Sequence, residues 1–197
     1  MSSHSKKFAL TSIMLALASQ HTLASGQDAH EHGSANLDIA IDGNIIEMSF
    51  ESPAVNIVGF EYVTKDADQL LLIHNAEANL SNFDAMFVLE GAGSCEVVRS
   101  MAKWVTEQDE HGHEEEHGHE AEHGHEAEHG HEEERAAQHA EFVGEYKLEC
   151  GKLNELTRIT VNLFEYFEAI EELDVQMIHS GGQSMQELNA ENIQIRL

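Results

Sequence analysis

A tract at residues 107–134 constrains the fold more than any other feature of this chain, because it offers almost nothing to a hydrophobic core. Its centre reads HGHEEE, HGHEAE, HGHEAE and HGHEEE, four hexapeptide copies that begin at His111, His117, His123 and His129. The tract also holds thirteen acidic residues, no Lys or Arg, and two alanines as its only apolar residues. Such a composition cannot repay the entropy of ordering. We therefore predict a long disordered loop over residues 107–134.

The histidines of this tract are candidate metal ligands, because neutral imidazole is the commonest metal ligand among side chains. They are His111, His113, His117, His119, His123, His125, His129 and His131. Tetrahedral zinc takes about four ligands, so the tract could hold roughly two to four ions. The neighbouring carboxylates should raise the pKa of the imidazoles, so that mild acid releases the metal.

Two other interpretations of the tract are weaker. A solvated acidic loop would explain the glutamates but not a pair of histidines every six residues. The sequence from His113 to His117 also fits the H-E-x-x-H pattern of zinc proteases. That pattern needs a packed helix, whereas glycine separates each histidine pair here and no apolar face exists. We therefore predict no catalytic residues and no enzyme activity.

Residues 1–24 are typical of a secretory signal peptide. Lys6 and Lys7 precede an apolar run over residues 8–18 that is too short to span a bilayer, and Ala24 ends an acceptable cleavage site. Removing two lysines and no acid takes the net charge from −27 to −29. Such a surface repels nucleic acid and anionic lipid and attracts cations. We expect an exported protein whose mature part, residues 25–197, forms one domain interrupted by the tract.

A second, smaller metal site is possible near the start of the mature chain. Asp28, His30 and His32 lie within SGQDAHEHG at residues 25–33. Two histidines two positions apart supply only half of a zinc site, and an unstructured polar end explains them equally well.

Alternating apolar and polar residues predict a strand-rich fold on both sides of the tract. Residues 35–41 and 45–51 flank an Asp-Gly-Asn turn and predict a hairpin. Further strands are expected over 95–105, 140–149, 157–164, 173–179, 184–188 and 193–197, with a short helical turn near 165–171. The fold class is α+β, a mainly antiparallel domain with one or two short helices.

The main helix is expected over residues 66–80, where Asp66 and Gln69 resemble an N-terminal capping pair. Ala67, Leu70, Leu71, His74 and Ala78 fall on one stripe, which predicts the packing face. His74 is therefore interpreted as a packed histidine and not as a ligand.

The two cysteines predict a disulfide, because an exported chain meets an oxidising compartment. A pair of thiolate metal ligands is the weaker alternative, since the chain has no C-x-x-C motif. If Cys95 pairs with Cys150 in an antiparallel ladder, Trp104 faces Glu141 and the tract forms the tip of that hairpin.

Several stretches together resemble a known family. LDIAIDGN, ESPAVNIVGFE at residues 51–61, YKLEC ending at Cys150, RITVNLFEYF and the final NIQIRL are similar to the ZrgA family of zinc-regulated periplasmic proteins. Tyr62 departs from the pattern, in which histidine is expected after GFE. The resemblance implies a periplasmic zinc-uptake component that works with an ABC-type transporter and has no enzyme activity.

The function predicted from these features is periplasmic Zn(II) capture in support of uptake. Two alternatives remain open, a buffer or detoxification protein for zinc, nickel or copper, and a pH-responsive interaction module. The seven methionines form no Met-rich cluster, which argues against dedicated copper(I) handling.

Overall fold

The computed structural model describes residues 31–91, 94–106 and 139–197. The predicted signal peptide, His30 and the whole of the predicted loop at 107–134 lie outside these residues. Within the described ranges, every helix falls short of the length and apolar character needed to cross a bilayer.

The described residues form two β-sheets, one helix of 14 residues and several shorter helices. A six-stranded sheet has the order β4-β5-β2-β1-β7-β8, and a three-stranded sheet has the order β3-β6-β9. The strands are β1 Ser34–Asp42, β2 Ile45–Pro53, β3 Phe87–Glu90, β4 Cys95–Thr106, β5 Ala140–Cys150, β6 Arg158–Val161, β7 Glu172–His179, β8 Gly182–Leu188 and β9 Gln194–Arg196. The helices are α1 Val55–Val58, α2 Ala67–Leu80, α3 Phe83–Met86 and α4 Leu163–Tyr166, and a 3₁₀ turn spans Leu153–Glu155.

The hydrophobic core lies against one face of the large sheet. Alternate residues of its strands are buried, as in β1 at Leu37 and Ile39, because successive side chains point to opposite faces. The small sheet joins the same apolar cluster through Phe87, Ile159 and Ile195. β1 and β7 run parallel, while the other neighbouring strands run antiparallel. The predicted fold class, mainly antiparallel α+β, is confirmed.

The hairpin of β4 and β5 carries the two ends of the segment that contains the tract. Cys95 and Cys150 form the predicted disulfide and are paired in the ladder. The predicted partner of Trp104 is wrong, because Trp104 pairs with Phe142 and not with Glu141. The register shifts between Val97 and Arg99. A bulge places one extra residue in β4, so every later pair moves by one position.

Helix α2 begins where its capping signal predicts, but it packs on a different face. The Asp66 carboxylate accepts hydrogen bonds from the backbone N–H groups of Asp68 and Gln69. Leu70 and Leu71 are half exposed and His74 is exposed, so the predicted packing stripe is wrong. The apolar run LLLI at 70–73 covers most of a turn and does not single out one face. The fully buried positions are instead Ala76 and Leu80.

Polar contacts to β4 decide which face of α2 turns inward. Glu77 Oε1 accepts a hydrogen bond from the Trp104 N–H at 3.0 Å. The hydroxyl of Ser81, which follows the helix, accepts another from the Ala102 N–H at 2.9 Å. Both bonds satisfy edge-strand backbone groups, since β4 is an edge strand of the large sheet in the part of the chain that the structure describes.

The second half of the chain holds the predicted strands with shifted boundaries. The strand expected over 157–164 ends at Val161, and Leu163 begins α4, so the helical turn comes earlier than its predicted place near 165–171. Leu163 is fully buried all the same, because it continues the apolar face of Ile159 and Val161 across the strand–helix junction.

Candidate metal centre

One end of the large sheet gathers chain segments that are far apart in sequence. Antiparallel pairing places the start of β1, the end of β2, the end of β4 and the start of β5 together. The pairs found at this end are Asn36 with Glu51, Pro53 with Glu141, and Thr106 with Ala140. Residues 107–138 connect Thr106 to His139, so both points where that segment leaves the fold lie at this end.

Two histidines meet one carboxylate at this end of the sheet. His32 Nε2 donates a hydrogen bond to Glu61 Oε1 at 3.1 Å, and His139 Nδ1 lies 3.6 Å from the same oxygen. The Glu61 side chain is 21% exposed, whereas the His32 and His139 side chains are 64% and 47% exposed. The carboxylate is therefore the most buried member of the group, and the imidazoles lie closer to solvent.

The second oxygen of Glu61 is an exception to the usual pairing of buried polar atoms. Glu61 Oε2 is buried and has no hydrogen-bond partner among the described residues. An unpaired buried oxygen costs free energy. Such an atom in a native protein calls for an explanation, and a bound ion is one of the usual ones.

The stretch at residues 51–61 sets the position of Glu61. Helix α1 is a single turn that ends at Gly59, whose φ of 84° lies in the left-handed region that favours glycine. This cap reverses the chain after α1. Phe60, which is buried, then packs against Trp104 with ring centroids 5.8 Å apart. Glu61 follows directly and is held at the end of the β4–β5 hairpin.

Asn56 fixes the His32 segment against the Glu61 segment. Its Oδ1 accepts a hydrogen bond from the Gly33 N–H at 2.8 Å, and its Nδ2 donates to the Ser34 carbonyl at 2.9 Å. The side chain is almost fully buried, at 4% exposure, and both bonds are part-buried. Gly33 has a φ of 90°, and its carbonyl accepts hydrogen bonds from the N–H groups of Glu171 and Glu172. His32 is thus tethered from two sides.

Aromatic side chains pack beside the group. Trp104 contacts Phe142 edge to face at 5.5 Å, and Phe60 contacts Tyr62 at 5.2 Å. Tyr62, where the resemblance led us to expect histidine, is 54% exposed and accepts a hydrogen bond from Gln69 Nε2 at its hydroxyl. Its phenol is therefore directed toward the start of α2.

The predicted ligands are only partly within the described residues. His32 is described and lies in the group, whereas Asp28, His30 and the eight tract histidines lie outside. Sequence reasoning missed Glu61 and His139. Glu61 closes the stretch on which the family resemblance rests most, and His139 directly precedes a predicted strand, but neither position carries a ligand-spacing signal of its own.

A second group of acidic side chains lies on β7 and β8. Ligand oxygens of Glu172, Asp174 and Glu187 lie within 4.8 Å of one another. The charge of Glu187, followed by burial, Asp174 and Glu31, raises the pKa of Glu172 above its ordinary value. An all-carboxylate group suits hard cations better than zinc, which favours nitrogen and sulfur ligands.

A groove of about 630 Å³ crosses the outer face of the large sheet. Four of its five charged side chains form two ion pairs, Lys147 with Glu47 at 2.6 Å and Arg99 with Glu145 at 2.8 Å, and the fifth is Asp38. It is lined by no histidine or cysteine among the described residues. The groove is therefore a poor candidate for a zinc site.

Comparison with known proteins agrees with the resemblance found in the sequence. No curated protein matches the chain. The model of one family, described as ZrgA family zinc uptake protein, matches residues 29–197. That range includes His32, Glu61, both cysteines, the tract and His139, and its description is of zinc uptake and not of an enzyme. The chain belongs to the ZrgA family of zinc uptake proteins.

Proposed function

We propose that this protein is a non-enzymatic periplasmic zinc binder that captures Zn(II) through its His-rich tract and supports uptake with an ABC-type transporter. The family supports the zinc and uptake parts of this proposal. Capture by the tract, the periplasmic location and the transporter are our inferences from the sequence.

One observation carries the proposal furthest. β4 and β5 pair without interruption from Arg99 and Lys147 to Thr106 and Ala140, and the disulfide closes the other end of the hairpin. The two ends of the tract segment are therefore held side by side on a rigid support. We expect deletion of the tract, or metal binding in it, to leave this support intact, which supports a role for the tract as a capture segment.

The tract chemistry suits capture and hand-off better than storage. Imidazole and carboxylate ligands in repeated copies offer several overlapping sites of similar affinity. An ion bound to one set of ligands can move to the next without a large free-energy step. The net charge of −27 adds a long-range attraction for cations at low ionic strength.

The alternative functions predict that the cell needs the protein under different conditions. A buffer or detoxification protein is needed under metal excess, whereas an uptake protein is needed under starvation. A pH-responsive interaction module would bind a partner in the absence of metal. Copper(II) and nickel also bind such ligands, copper more tightly by the usual affinity order, so selectivity has to be measured.

Growth of a deletion strain under chelation tests the proposal. We expect a growth defect that zinc restores and that equal additions of nickel or copper do not restore. A complementing gene in which the eight tract histidines are replaced by glutamine should restore growth only at higher zinc. A strain that grows normally under chelation but fails in excess zinc would contradict uptake and favour detoxification.

A further inference from the structure

We propose that His32, Glu61 and His139 form a zinc site of the folded domain. This site is separate from the tract and lies where the tract segment joins the β4–β5 hairpin. This inference rests on the proposed function, since it gives the captured ion a defined place to go. It differs from a metal-binding tail at His30 and His32, because two of its three ligands come from the body of the fold.

Two of the three ligand separations fit a tetrahedral metal. Two ligand atoms that each lie about 2.0–2.1 Å from a tetrahedral zinc are about 3.3–3.4 Å apart. The measured separations, 3.1 Å from His32 Nε2 and 3.6 Å from His139 Nδ1 to Glu61 Oε1, lie on either side of that value. The two exposed imidazoles would have to rotate toward each other to complete the ligand geometry.

The two imidazoles lie apart from each other. The acidic group of Glu172, Asp174 and Glu187 is the one set among the described residues whose three ligand atoms all lie within 4.8 Å of one another. The ligand atoms of His32 and His139 are therefore farther from each other than either is from Glu61. A metal bound at Glu61 would draw the two imidazoles together and tie three segments of the chain.

Burial gives each ligand a suitable role. Glu61 is mostly buried and its Oε2 has no hydrogen-bond partner among the described residues, so the described groups compensate its negative charge only at Oε1. A divalent cation held at the carboxylate would add to that compensation. The two imidazoles are about half exposed or more, which leaves a path for the ion from solvent.

The donor set identifies the class of ion. Two imidazole nitrogens and one carboxylate oxygen are ligands of zinc, whereas calcium and magnesium require oxygen ligands almost throughout. Three protein ligands leave the fourth position of a tetrahedral zinc ion open. Water can fill that position, or a ligand from the molecule that delivers the ion. Sites with an open position exchange their metal more readily than closed four-ligand structural sites.

Stability measurements separate this site from the tract. Tract ligands are close together in sequence, so we expect them to bind zinc equally well in the folded and the unfolded chain. Their binding would then leave the free energy of unfolding unchanged. The three ligands of the proposed site are 29 and 78 residues apart and meet only in the folded protein. A ligand that binds only the folded state raises its stability in proportion to the logarithm of concentration.

The experiment follows urea unfolding of the full chain with and without free zinc held constant by a chelator buffer. Zinc should raise the unfolding midpoint of the unmodified protein. In Glu61→Gln, His32→Ala and His139→Ala, zinc affinity at the site should fall at least tenfold, which lowers the zinc-dependent gain by about 1.4 kcal/mol at the same free zinc. Glu61→Gln keeps the size and a hydrogen-bonding oxygen, so it serves even where an alanine variant folds poorly.

Two controls locate the ion. His74→Ala removes an exposed histidine on α2 by the same substitution and should retain the full zinc-dependent gain. Replacing the eight tract histidines with glutamine should also retain it. An equal gain in all three site variants and in the unmodified protein, or loss of the gain in the tract variant, would overturn the proposed site.

The outcomes keep the two proposals apart. If calorimetry still counts several bound zinc ions while the site variants show an undiminished gain, the site is refuted and tract capture stands. If neither zinc binding nor stabilisation is observed in the unmodified protein, the proposed function fails together with the site.

Discussion

At the scale of single residues, the candidate site depends on side chains whose own roles are structural. Asn56 is buried and connects Gly33 and Ser34 to α1, while Gly59 turns the chain toward Glu61. These residues lie in the stretch that resembles the family most specifically, ESPAVNIVGFE. The stretch is informative because it encodes the position of one carboxylate through a short helix and a left-handed cap.

Asn56→Ala tests this positioning role. The change leaves the Gly33 N–H and the Ser34 carbonyl without their buried partner, and an unsatisfied buried group costs about 1–3 kcal/mol of unfolding free energy. Urea denaturation should show a loss of that size. The matched control Asn79→Ala, at an exposed position of α2, should change the free energy by less than about 0.5 kcal/mol. Equal losses in the two variants would contradict the role given to Asn56.

At the scale of elements, the sequence predicts strands well and their exact pairing less well. The hairpin of β1 and β2, the ends of β5 and the cap of α2 follow from local signals. The bulge near Val98 has no such signal, because alternation is weak where VVR faces solvent on an edge strand. The packing face of α2 is accompanied by hydrogen bonds that Glu77 and Ser81 accept from backbone N–H groups of β4, which only the assembled fold provides.

The candidate site shows the same limit. Its ligands come from three segments that join only when β2 pairs with β5 and the tract segment is closed into a hairpin. His32 is found from sequence because a second histidine lies nearby at His30. Glu61 and His139 are isolated in sequence, so neither hydrophobic periodicity nor ligand spacing marks them as candidate metal ligands.

The disulfide should stabilise the hairpin and, through it, the support of the tract. Cys95 and Cys150 are 55 residues apart, and the loop-entropy model gives about 4 kcal/mol for closing a loop of that length. The paired change Cys95→Ser and Cys150→Ser should lower the unfolding free energy by up to that amount. Non-reducing peptide mapping of protein recovered from the periplasm should find the linked pair, and two free thiols there would contradict it.

The acidic group on β7 and β8 should oppose folding at neutral pH. Neighbouring charge, first that of Glu187, raises the pKa of Glu172 above its ordinary value of 4.5. The folded state therefore binds this proton more tightly than the unfolded chain, and stability from it is lost as the pH rises through the folded-state pKa. Glu172→Gln should raise the unfolding midpoint at pH 7, and this gain should disappear below about pH 4.

Glu168→Gln is the matched control for that prediction, because it makes the same charge change at an exposed position outside the acidic group. Its effect on the midpoint should be smaller at pH 7. A gain in Glu172→Gln that stays constant from pH 7 to pH 4 would contradict the electrostatic account.

At the scale of the whole molecule, our two proposals give the chain two kinds of metal-binding chemistry. In these proposals the tract offers many ligands that are close in sequence, and the end of the large sheet offers three ligands that only the fold brings together. The first would suit capture over a range of concentrations, and the second would suit a single defined ion. Because the tract segment joins the described fold at Thr106 and His139, an ion would pass from one to the other where that segment begins and ends.

Zinc calorimetry of the full chain tests the central claim most directly. The unmodified protein should bind several zinc ions at pH 7. The variant with glutamine at His111, His113, His117, His119, His123, His125, His129 and His131 should bind about one. If that variant keeps the full stoichiometry, zinc capture lies elsewhere in the chain and the role assigned to the tract is wrong.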